Sequence, residues 1–431
     1  MHLSGRAYVV VCLTAVLAIA GIWSSEPALS GWWRLPALLL LLGLTFEGFF
    51  IRRRPLEAQV VTAPRAFLGR GQSATYAFTN RSGRELALQY YPATPAGFEV
   101  LPELRSVRVP ARGVAEDAVS VLPVRLGLQS WPALAVRALG PLGLAWWSLQ
   151  LQARQDTVVA PDALRMPVRL RGLSAGARPR AIAGSGAELH QLREYVRGDP
   201  LASIDWKATA RAGALMAREF SEDQHLDVLI AIDAGRLSRI RAGQLDRLGL
   251  YANLAARLAE IAVHLDDRVG LVVYADRVVT TRAPVRGLPA ITGMRRALEQ
   301  LAVQSAESDP TAAAVSMRRL LKHRGLIVLL TDLDDANVAA ELARAVRLLA
   351  PPHLVMVAGL LSGEIGALAR REANNWQDPW IALAASEHES QASAQRLLLQ
   401  RLGAPVVTAT AERLEQALLA EYEALRRSRR V

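Results

Sequence analysis

The sequence predicts a mixed α/β protein built from an N-terminal transmembrane helical hairpin, a small antiparallel β-sandwich and a doubly wound α/β domain. Two apolar stretches near the N-terminus predict the hairpin. Short alternating runs separated by Gly, Pro and Asn predict the sandwich, and apolar runs that alternate with helical stretches predict the last domain. A chain of 431 residues is long enough for two or three domains. We place the parts at residues 1–54 (hairpin), 55–165 (sandwich), 166–222 (a linker and a distinctive segment) and 223–431 (α/β domain).

The composition narrows the classes of protein that the chain can represent. Hydrophobic residues make up 51% of it and charged residues 21%, a balance that excludes intrinsic disorder and indicates that part of the chain lies in lipid. The net charge of +11 is an arginine surplus, because Lys207 and Lys322 are the only lysines. Such a surplus suits anionic lipid, nucleic acid or an acidic protein partner. The single cysteine, Cys12, excludes an internal disulfide and a cysteine-based zinc site.

The hairpin prediction rests on two apolar stretches, Ala7–Trp23 and Trp32–Ile51. Each is about long enough for a helix to cross ~30 Å of hydrocarbon. The first stretch carries no charge, and the second is interrupted only by Arg34 and Glu47. A cleaved signal peptide is the alternative for the first stretch, because the small residues at 18–20 resemble a cleavage site.

Arginines flank the outer ends of the hairpin. Arg6 precedes the first stretch and Arg52–Arg54 follow the second, whereas the connection Ser24–Gly31 contains no Lys or Arg. The positive-inside rule therefore predicts that both ends of the hairpin face the cytoplasm, together with the large C-terminal part of the chain. Cleavage of the first stretch would leave this orientation unchanged, because the second stretch still anchors the remainder.

The region after the hairpin reads as short strands at roughly ten-residue spacing, which favours a small antiparallel sandwich. It contains no His, no Cys and no cluster of paired acids. We therefore expect a structural or docking role for it. The predicted strands are Glu57–Thr62, Ser73–Thr79, Leu86–Tyr91, Ser106–Val109, Val114–Pro123, Ala133–Ala138 and Trp146–Leu151.

The most distinctive stretch of the chain is Leu192–Arg211, which we call the signature segment. Asp199 is an N-cap residue type and Pro200 suits the first position of a helix, so this pair predicts a helix start. Gly213 predicts the end of the same helix, since glycine is the usual residue just past a helix C-terminus. The signature segment is therefore expected to end in a helix that runs from Pro200 to Gly213.

Two cations recur on one face of that predicted helix. Lys207 and Arg211 are four residues apart, as are Ser203 and Lys207, so the three side chains share a face. Stacked cations repel each other unless an anion lies opposite. That anion can be a carboxylate of the same fold, which we favour, or an acidic surface of a partner. The candidate carboxylates within the fold are Glu194, Asp199 and Glu219.

Two runs in the signature segment carry a family resemblance. Leu192–Asp199 reads LREYVRGD, and Ile204–Arg211 reads IDWKATAR. This order resembles the bacterial family called domain of unknown function 58, whose members carry it just ahead of a von Willebrand factor type A-like domain. The resemblance extends back to Gly140–Leu144 (GPLGL) and to a two-helix anchor. The residues that we expect at a partner-binding or signature surface are Arg193, Glu194, Tyr195, Gly198, Asp199, Asp205, Trp206, Lys207 and Arg211.

The resemblance implies a multi-pass protein of the bacterial inner membrane that works with a MoxR-type AAA+ ATPase and has no established enzymatic activity. The chain itself lacks a phosphate-binding loop, because neither Lys207 nor Lys322 stands in a Gly-Lys-Ser/Thr context. Any ATP dependence must then come from a partner. Basic residues are spread through all regions, so direct binding of nucleic acid is not expected.

The C-terminal part shows alternating strands and helices of the lengths found in doubly wound domains. The predicted strands are Leu226–Ile232, Val269–Tyr274, Leu326–Leu330, Leu354–Ala358 and Val406–Thr408. The predicted helices are Gly243–Leu265, Leu288–Val303, Ala312–Lys322, Ala336–Leu349, Ser390–Leu402 and Ala411–Arg427. Ligands of such folds bind beyond the carboxyl ends of the strands, where Asp233 and Asp332 are expected.

The resemblance to type A domains implies a metal-ion-dependent adhesion site at that edge. In such a site, an Asp-x-Ser-x-Ser loop, a threonine and a second aspartate surround Mg²⁺. Asp233, Thr311 and Asp332 match three of these positions. The two serine positions are Gly235 and Leu237, which have no side-chain oxygen for a hard cation. We therefore expect the fold without strong Mg²⁺ binding, and any residual binding should depend on the two aspartates.

Two functions from different classes follow. The favoured one is a non-enzymatic protein-interaction module that serves an AAA+ ATPase. The alternative is a metal-dependent hydrolase, a phosphoesterase or nuclease, that uses Asp233, Asp332 and Asp334. Acidic residues at 332, 334 and 335 also suit the start of the next helix, which favours the first function.

Overall fold

The computed structural model of the chain describes residues 2–23, 31–53, 55–162, 183–184, 188–221, 225–333, 336–361 and 363–427. The linker predicted at the start of the 166–222 segment lies outside these residues, as does Asp334 of the alternative hydrolase site. The chain forms two compact units. The first comprises Met1–Ala163, Ala234–Ala256 and Arg295–Ser305, and the second comprises Leu164–Asp233, Arg257–Met294 and Ala306–Val431.

The first unit begins with a short strand, β1 (His2–Leu3), and two apolar helices, α1 (Gly5–Trp23) and α2 (Arg34–Arg52). Each helix has 19 residues and is long and apolar enough to cross a membrane, and few of its side chains are buried. This confirms the two predicted apolar helices. Their insertion in a membrane, its identity and their orientation stay predictions.

The β-rich part of the first unit contains all seven predicted strands, and four more that were not predicted. Short length explains the omissions at β3 and β6, since three or two residues show no clear alternation. The strands are β2 (Leu56–Val61), β3 (Arg65–Phe67), β4 (Gln72–Asn80), β5 (Leu86–Tyr90), β6 (Phe98–Glu99), β7 (Arg105–Val109), β8 (Val114–Pro123), β9 (Gly127–Ser130), β10 (Leu134–Leu139), β11 (Ala145–Leu151) and β12 (Asp156–Ala160).

These strands form three sheets, with the orders β1-β11-β10-β5-β7, β2-β4-β8-β6 and β3-β12-β9. The pairing is antiparallel except between β3 and β12, which run parallel. The purely antiparallel prediction is corrected at that point. Side chains alternate along β2 and β4, and their inward positions build an aromatic core in which the Tyr90 ring lies 5.5 Å from that of Tyr76 and 5.0 Å from that of Phe78.

The second unit opens with a small sheet of β13 (Ala183–Gly184), β14 (Glu188–Glu194) and β15 (Met216–Ser221) in the order β13-β15-β14. Helix α3 (Trp206–Ala212) lies between β14 and β15 in the chain. The signature segment therefore spans the end of β14, a turn, and most of α3.

The larger sheet of the second unit has the order β20-β19-β16-β21-β22-β23. Five of its strands run parallel and match the five predicted apolar strands, whereas β20 is an antiparallel edge strand that was not predicted. The half-exposed, irregular burial of β20 explains why no apolar run marks it. The strands are β16 (Asp227–Asp233), β19 (Arg268–Tyr274), β20 (Val278–Val285), β21 (Leu326–Leu330), β22 (Leu354–Leu360) and β23 (Val406–Ala409), with a two-residue hairpin of β17 (Arg241–Ala242) and β18 (Leu245–Asp246) in the first unit.

The helices fall between these strands, as the alternating pattern predicts. They are α4 (Arg247–His264), α5 (Gly287–Glu299), α6 (Pro310–Leu320), α7 (Ala336–Leu349), α8 (Gly363–Ala369), α9 (Asp378–Arg401) and α10 (Ala411–Arg427). The predicted six are present; α8 was missed and α9 begins 12 residues before the predicted Ser390. The described chain is therefore a mixed α/β protein with several sheets.

A buried polar cluster fixes the last helix of the second unit. The carboxylate of Asp267, which is fully buried, accepts hydrogen bonds from the Tyr422 hydroxyl at 2.5 Å, the Arg426 Nε at 3.1 Å and the Leu226 backbone N–H at 3.1 Å. Burial raises the pKa of Asp267 above its ordinary value, and the donors oppose that shift. This cluster ties α10 to the start of β16 and to the turn before β19.

Candidate functional site

In the signature segment, a short helix, α3, connects strands β14 and β15. Asp205, not Asp199, is the N-cap of α3: its carboxylate accepts the backbone N–H groups of Lys207 and Ala208, each at 3.0 Å. The predicted start at Pro200 is therefore wrong, and a single 3₁₀ turn, Leu201–Ser203, precedes the helix. The predicted end is confirmed, because Gly213 closes the helix with a φ of 67°, in the left-handed region.

Asp199 instead holds the turn before the helix. Its two carboxylate oxygens accept from the two terminal nitrogens of Arg193, each at 2.8 Å, and one of them also accepts the Val196 N–H at 3.0 Å. The Arg193 hydrogen bond is the main reason that the pKa of Asp199 lies below its ordinary value. The hydroxyl of Tyr195 donates to the Asp199 carbonyl, and Gly198 supplies a φ of 118° that favours glycine.

The cations of α3 face solvent. Lys207 and Arg211 are exposed, and neither side chain makes an ion pair or hydrogen bond within the described part of the chain. Ser203 precedes the helix and donates to the Pro200 carbonyl, so it does not share their face. Trp206, beside them, is 69% exposed. The helix therefore presents a tryptophan and two available cations.

Two of the three carboxylates expected to neutralise these cations do not pair with them. Asp199 is engaged by Arg193, and Glu194 is exposed without an ion pair among the residues that the structure describes. The side chain of Glu219 lies outside the described residues. The interpretation that we favoured from sequence, an acidic partner within the fold, finds no described carboxylate within ion-pair distance.

Asp233 lies at the carboxyl end of β16, beside β21, and is only 4% exposed. One carboxylate oxygen accepts from the Ser308 hydroxyl, and the other accepts from the Thr331 hydroxyl at 2.7 Å. Asp332 follows Thr331 and is also buried. The structure thus brings both predicted aspartates to the same edge of the sheet, with two hydroxyl groups on one of them.

Thr311 does not join this group. Its hydroxyl donates to the Glu341 carboxylate of α7 at 2.9 Å, and Ser308, three residues earlier, takes the position beside Asp233. Gly235 and Leu237 offer no side-chain oxygen. Both oxygens of Asp233 are already hydrogen bond acceptors, and no group of three His, Cys, Asp or Glu side chains that suits a metal occurs among the described residues. Of the oxygen ligands that the resemblance implies, the structure therefore places the two aspartates at this edge, while the positions of the two loop serines carry no side-chain oxygen.

A third carboxylate, not predicted as a functional group, is Glu47 of α2. It is fully buried and accepts backbone N–H groups of Leu142, Leu144 and Ala145, all at 3.0 Å, and the Trp147 indole N–H at 3.3 Å. Glu47 therefore organises the Gly140–Leu144 turn that precedes β11. The sequence did contain a sign of this role, because Glu47 is the one acid in an apolar stretch. A buried carboxylate needs hydrogen-bond donors around it, so such an acid indicates a contact with donors.

Sequence comparison gives a family to which part of the chain is similar. The family described as "Protein of unknown function DUF58" matches residues 191–362. This range contains the signature segment and the candidate residues Asp233, Thr311 and Asp332. The resemblance to this family is confirmed over that range, and the parts of it that extend back to Gly140–Leu144 and to the two apolar helices lie outside the match.

The similar curated proteins include "Uncharacterized protein Rv1480" of Mycobacterium tuberculosis and "Uncharacterized protein Mb1516" of Mycobacterium bovis. Each is 25% identical over 172 residues, which cover 39% of this chain and 54% of the relative. The chain therefore spans about half the length of the curated relatives that it matches.

Similar solved structures include BatB from Bacteroides thetaiotaomicron, at 14% identity over 41% of this chain and 98% of that one, with a TM-score of 0.26. Proximal thread matrix protein 1 from the mussel byssus is 10% identical over 41% of this chain and 46% of that one, with a TM-score of 0.27. Scores of this size establish no shared fold.

Proposed function

We propose that this chain is a membrane-anchored, non-enzymatic protein-interaction module that acts as an adaptor for a MoxR-type AAA+ ATPase in envelope or complex maturation. The two apolar helices support the anchor. The family similarity over residues 191–362 supports the choice of class. The arginines at the outer ends of the hairpin support a location in the bacterial inner membrane with the C-terminal domains in the cytoplasm.

In this proposal the second unit carries a von Willebrand factor type A-like, doubly wound domain. Its support is the six-stranded sheet, in which five parallel strands carry an antiparallel edge strand and helices separate the strands along the chain. The adhesion-site edge of this domain is proposed not to bind Mg²⁺ strongly, because Asp233 is satisfied by two hydroxyl groups.

The observation that carries the adaptor role is the exposure of three side chains of α3, where Lys207 and Arg211 share one face and Trp206 lies roughly 100° around the helix from Lys207. Trp206 offers an apolar anchor, and Lys207 and Arg211 offer charge without an ion pair in the described chain. Tryptophan and arginine are the residue types that contribute most to protein interfaces. The acids of the segment form other pairs: Asp199 binds Arg193, and Asp205 caps α3 and lies 3.8 Å from Arg218 Nε, so neither forms an ion pair with Lys207 or Arg211. An acidic partner surface would pair with these two cations.

The two lysines allow a specific test. In a Lys322→Arg variant, Lys207 is the only lysine side chain. An amine-reactive photo-crosslinker attached to this variant labels Lys207 and the N-terminal α-amino group, so a product that a Lys207→Arg variant does not give reports contacts of α3. In membranes that contain the full chain and a MoxR-type AAA+ ATPase of the same genome, we expect the ATPase in the crosslinked product. The matched Lys207→Arg variant, which keeps exposed Lys322, should give no such product.

Charge reversal gives the second arm. Lys207→Glu with Arg211→Glu should weaken capture of the ATPase about tenfold or more, since opposed like charges raise the free energy of the complex. The control, Lys322→Glu with Arg401→Glu, changes two exposed cations elsewhere and should bind as the native chain does. Equal capture by both variants would refute the docking face. Hydrolysis of phosphodiester or phosphomonoester substrates that is lost in Asp332→Ala would refute the non-enzymatic role.

A further inference from the structure

The first unit contains a cavity of about 540 Å³, within the ~300–1,000 Å³ usual for small-molecule sites. Three separate segments line it: the β6 and β8–β9 region, residues 239–249, and residues 301–303. All three segments belong to the first compact unit. None of the lining residues belongs to α3 or to the group around Asp233 and Asp332.

The polar lining is dominated by guanidinium groups. Arg125, Arg239 and Arg241 all reach the cavity. Arg241 is paired with Glu99, with 2.9 Å between Nη2 and Oε1. Arg125 and Arg239 are exposed and make no side-chain hydrogen bond or ion pair within the described residues. Two cations therefore remain available at one cavity.

The cavity has a second acid, Asp246, and burial disfavours its charged form. Asp246 lines the cavity and accepts the backbone N–H of Gly249 at 2.7 Å. Burial raises its pKa above the ordinary value, and the nearby charges of Arg125 and Arg241 oppose the shift. The lining holds three arginines and two acids, Glu99 and Asp246, so the cavity has an excess of positive charge even with Asp246 ionised.

The remaining wall suits an organic body. Val124, Leu126, Leu248 and Leu301 supply apolar surface, and the Gln129 amide supplies hydrogen-bonding atoms. A mainly apolar lining with a few convergent polar groups is the usual composition of a small-molecule site. Inorganic anions alone would leave this surface without a partner.

We propose that the cavity binds a small phosphate monoester with an organic body of about mononucleotide size. A phosphate monoester carries a charge of about −1.5 to −2 near neutral pH, which matches the two available guanidinium groups of Arg125 and Arg239. Guanidinium forks bind phosphate oxygens in pairs, and the apolar wall accommodates the base or sugar. This ligand does not depend on the adaptor role.

The test uses the purified full chain in detergent and isothermal titration with adenosine monophosphate and glucose 6-phosphate. We expect at least one to bind with a Kd below about 1 mM. The matching uncharged compound, adenosine or glucose, and inorganic phosphate should each bind about tenfold more weakly than that ester. Failure of both esters to bind would overturn the proposal, as would equal binding of the uncharged compound or of phosphate.

Variants assign the binding to this cavity. Arg125→Ala with Arg239→Ala should weaken binding of the ester about tenfold or more, because both available cations are lost. The control, Arg84→Ala with Arg108→Ala, removes two exposed arginines from the same β-rich part and should bind normally. Both double variants should show the native circular dichroism spectrum. Normal binding by the Arg125/Arg239 variant would place the ester elsewhere and overturn the assignment.

Discussion

The signature helix and the strand-end site use aspartate in opposite ways. At the signature segment, Asp199 and Asp205 lie near the surface and shape a turn and a helix, while Lys207 and Arg211 remain available to solvent. At the strand end, Asp233 is buried and its charge is satisfied by hydroxyl groups of the same fold. The comparison teaches that accessibility, more than residue type, separates a group that builds the fold from one that can bind a partner.

The largest expected effect comes from removing the buried acid. Asp233→Ala should lower the free energy of unfolding of the full chain by about 3 kcal/mol, because it leaves the Ser308 and Thr331 hydroxyls without their acceptor in a buried site. Chemical denaturation in detergent measures the change in the free energy of unfolding. Hydrogen exchange of the β16 and β21 amides shows whether the loss includes these strands. Asp233→Asn keeps the shape and one carbonyl oxygen and should lose about half as much. A native unfolding curve for the alanine variant would show that Asp233 is not a structural acid.

The buried cluster at Asp267 gives the next effect. Tyr422→Phe removes one hydrogen bond to a fully buried carboxylate and should lower the free energy of unfolding by about 1–2 kcal/mol. If the loss is local, hydrogen exchange in the variant should speed up more in α10 than in β21, each compared with the native chain. Tyr8→Phe, at an exposed tyrosine of α1, is the matched control and should leave unfolding unchanged. Unchanged exchange of α10 would mean that Arg426 and Leu226 alone hold Asp267.

Much of the fold was predictable because burial leaves a pattern in the sequence. Four of the five parallel strands, β16, β19, β21 and β22, are buried on both faces and read as apolar runs. The strands of the β-rich part alternate instead. β20, an edge strand with an irregular face, carries no such pattern. The pairing of β3 with β12 joins residues about ninety positions apart and depends on contacts that no local window contains.

The candidate site was less predictable, because equivalent residue types compete for one role. Asp199 and Asp205 are both acceptable N-caps, and only the bidentate contact with Arg193 commits Asp199 to the turn. Ser308 and Thr311 are both hydroxyl residues at the start of the α6 region, and tertiary packing turns Thr311 to Glu341. Helical spacing predicted that Lys207 and Arg211 share a face, but not that both are exposed, because the interpretation we favoured paired them with a carboxylate of the same fold.

The cap of α3 gives a local effect. Asp205→Ala should speed hydrogen exchange of the Lys207 and Ala208 amides about fivefold, the factor expected when a helix loses its N-cap acceptor. Asp205→Asn retains an acceptor and should change exchange little. If both variants exchange alike, the charge of Asp205, not its acceptor geometry, holds the helix.

Acidification should reproduce part of that effect. The Ala208 N–H bond, and after it the Lys207 N–H bond, hold the pKa of Asp205 below its ordinary value of 3.8. Because the pKa is lower in the folded state, the ionised Asp205 carboxylate contributes its full stabilisation above about pH 3.8. That contribution is lost as the pH falls through the lowered pKa. Exchange in α3, corrected for its intrinsic pH dependence, should stay level from pH 7 to about pH 4 and rise below it. Loss of protection near pH 6 would point to another group.

The smallest effect on stability is expected where the effect on binding is greatest. Lys207→Glu with Arg211→Glu alters two exposed side chains that make no described ion pair, so the free energy of unfolding should change by less than about 0.5 kcal/mol. The native pair and the reversed pair are both like charges on one helix face, and such a pair destabilises a helix by only about 0.3 kcal/mol. Calorimetry and ATPase capture on the same preparations separate the two roles. A loss of stability comparable to that of Asp233→Ala would mean that these cations build the fold, and the contrast between the two regions would fail.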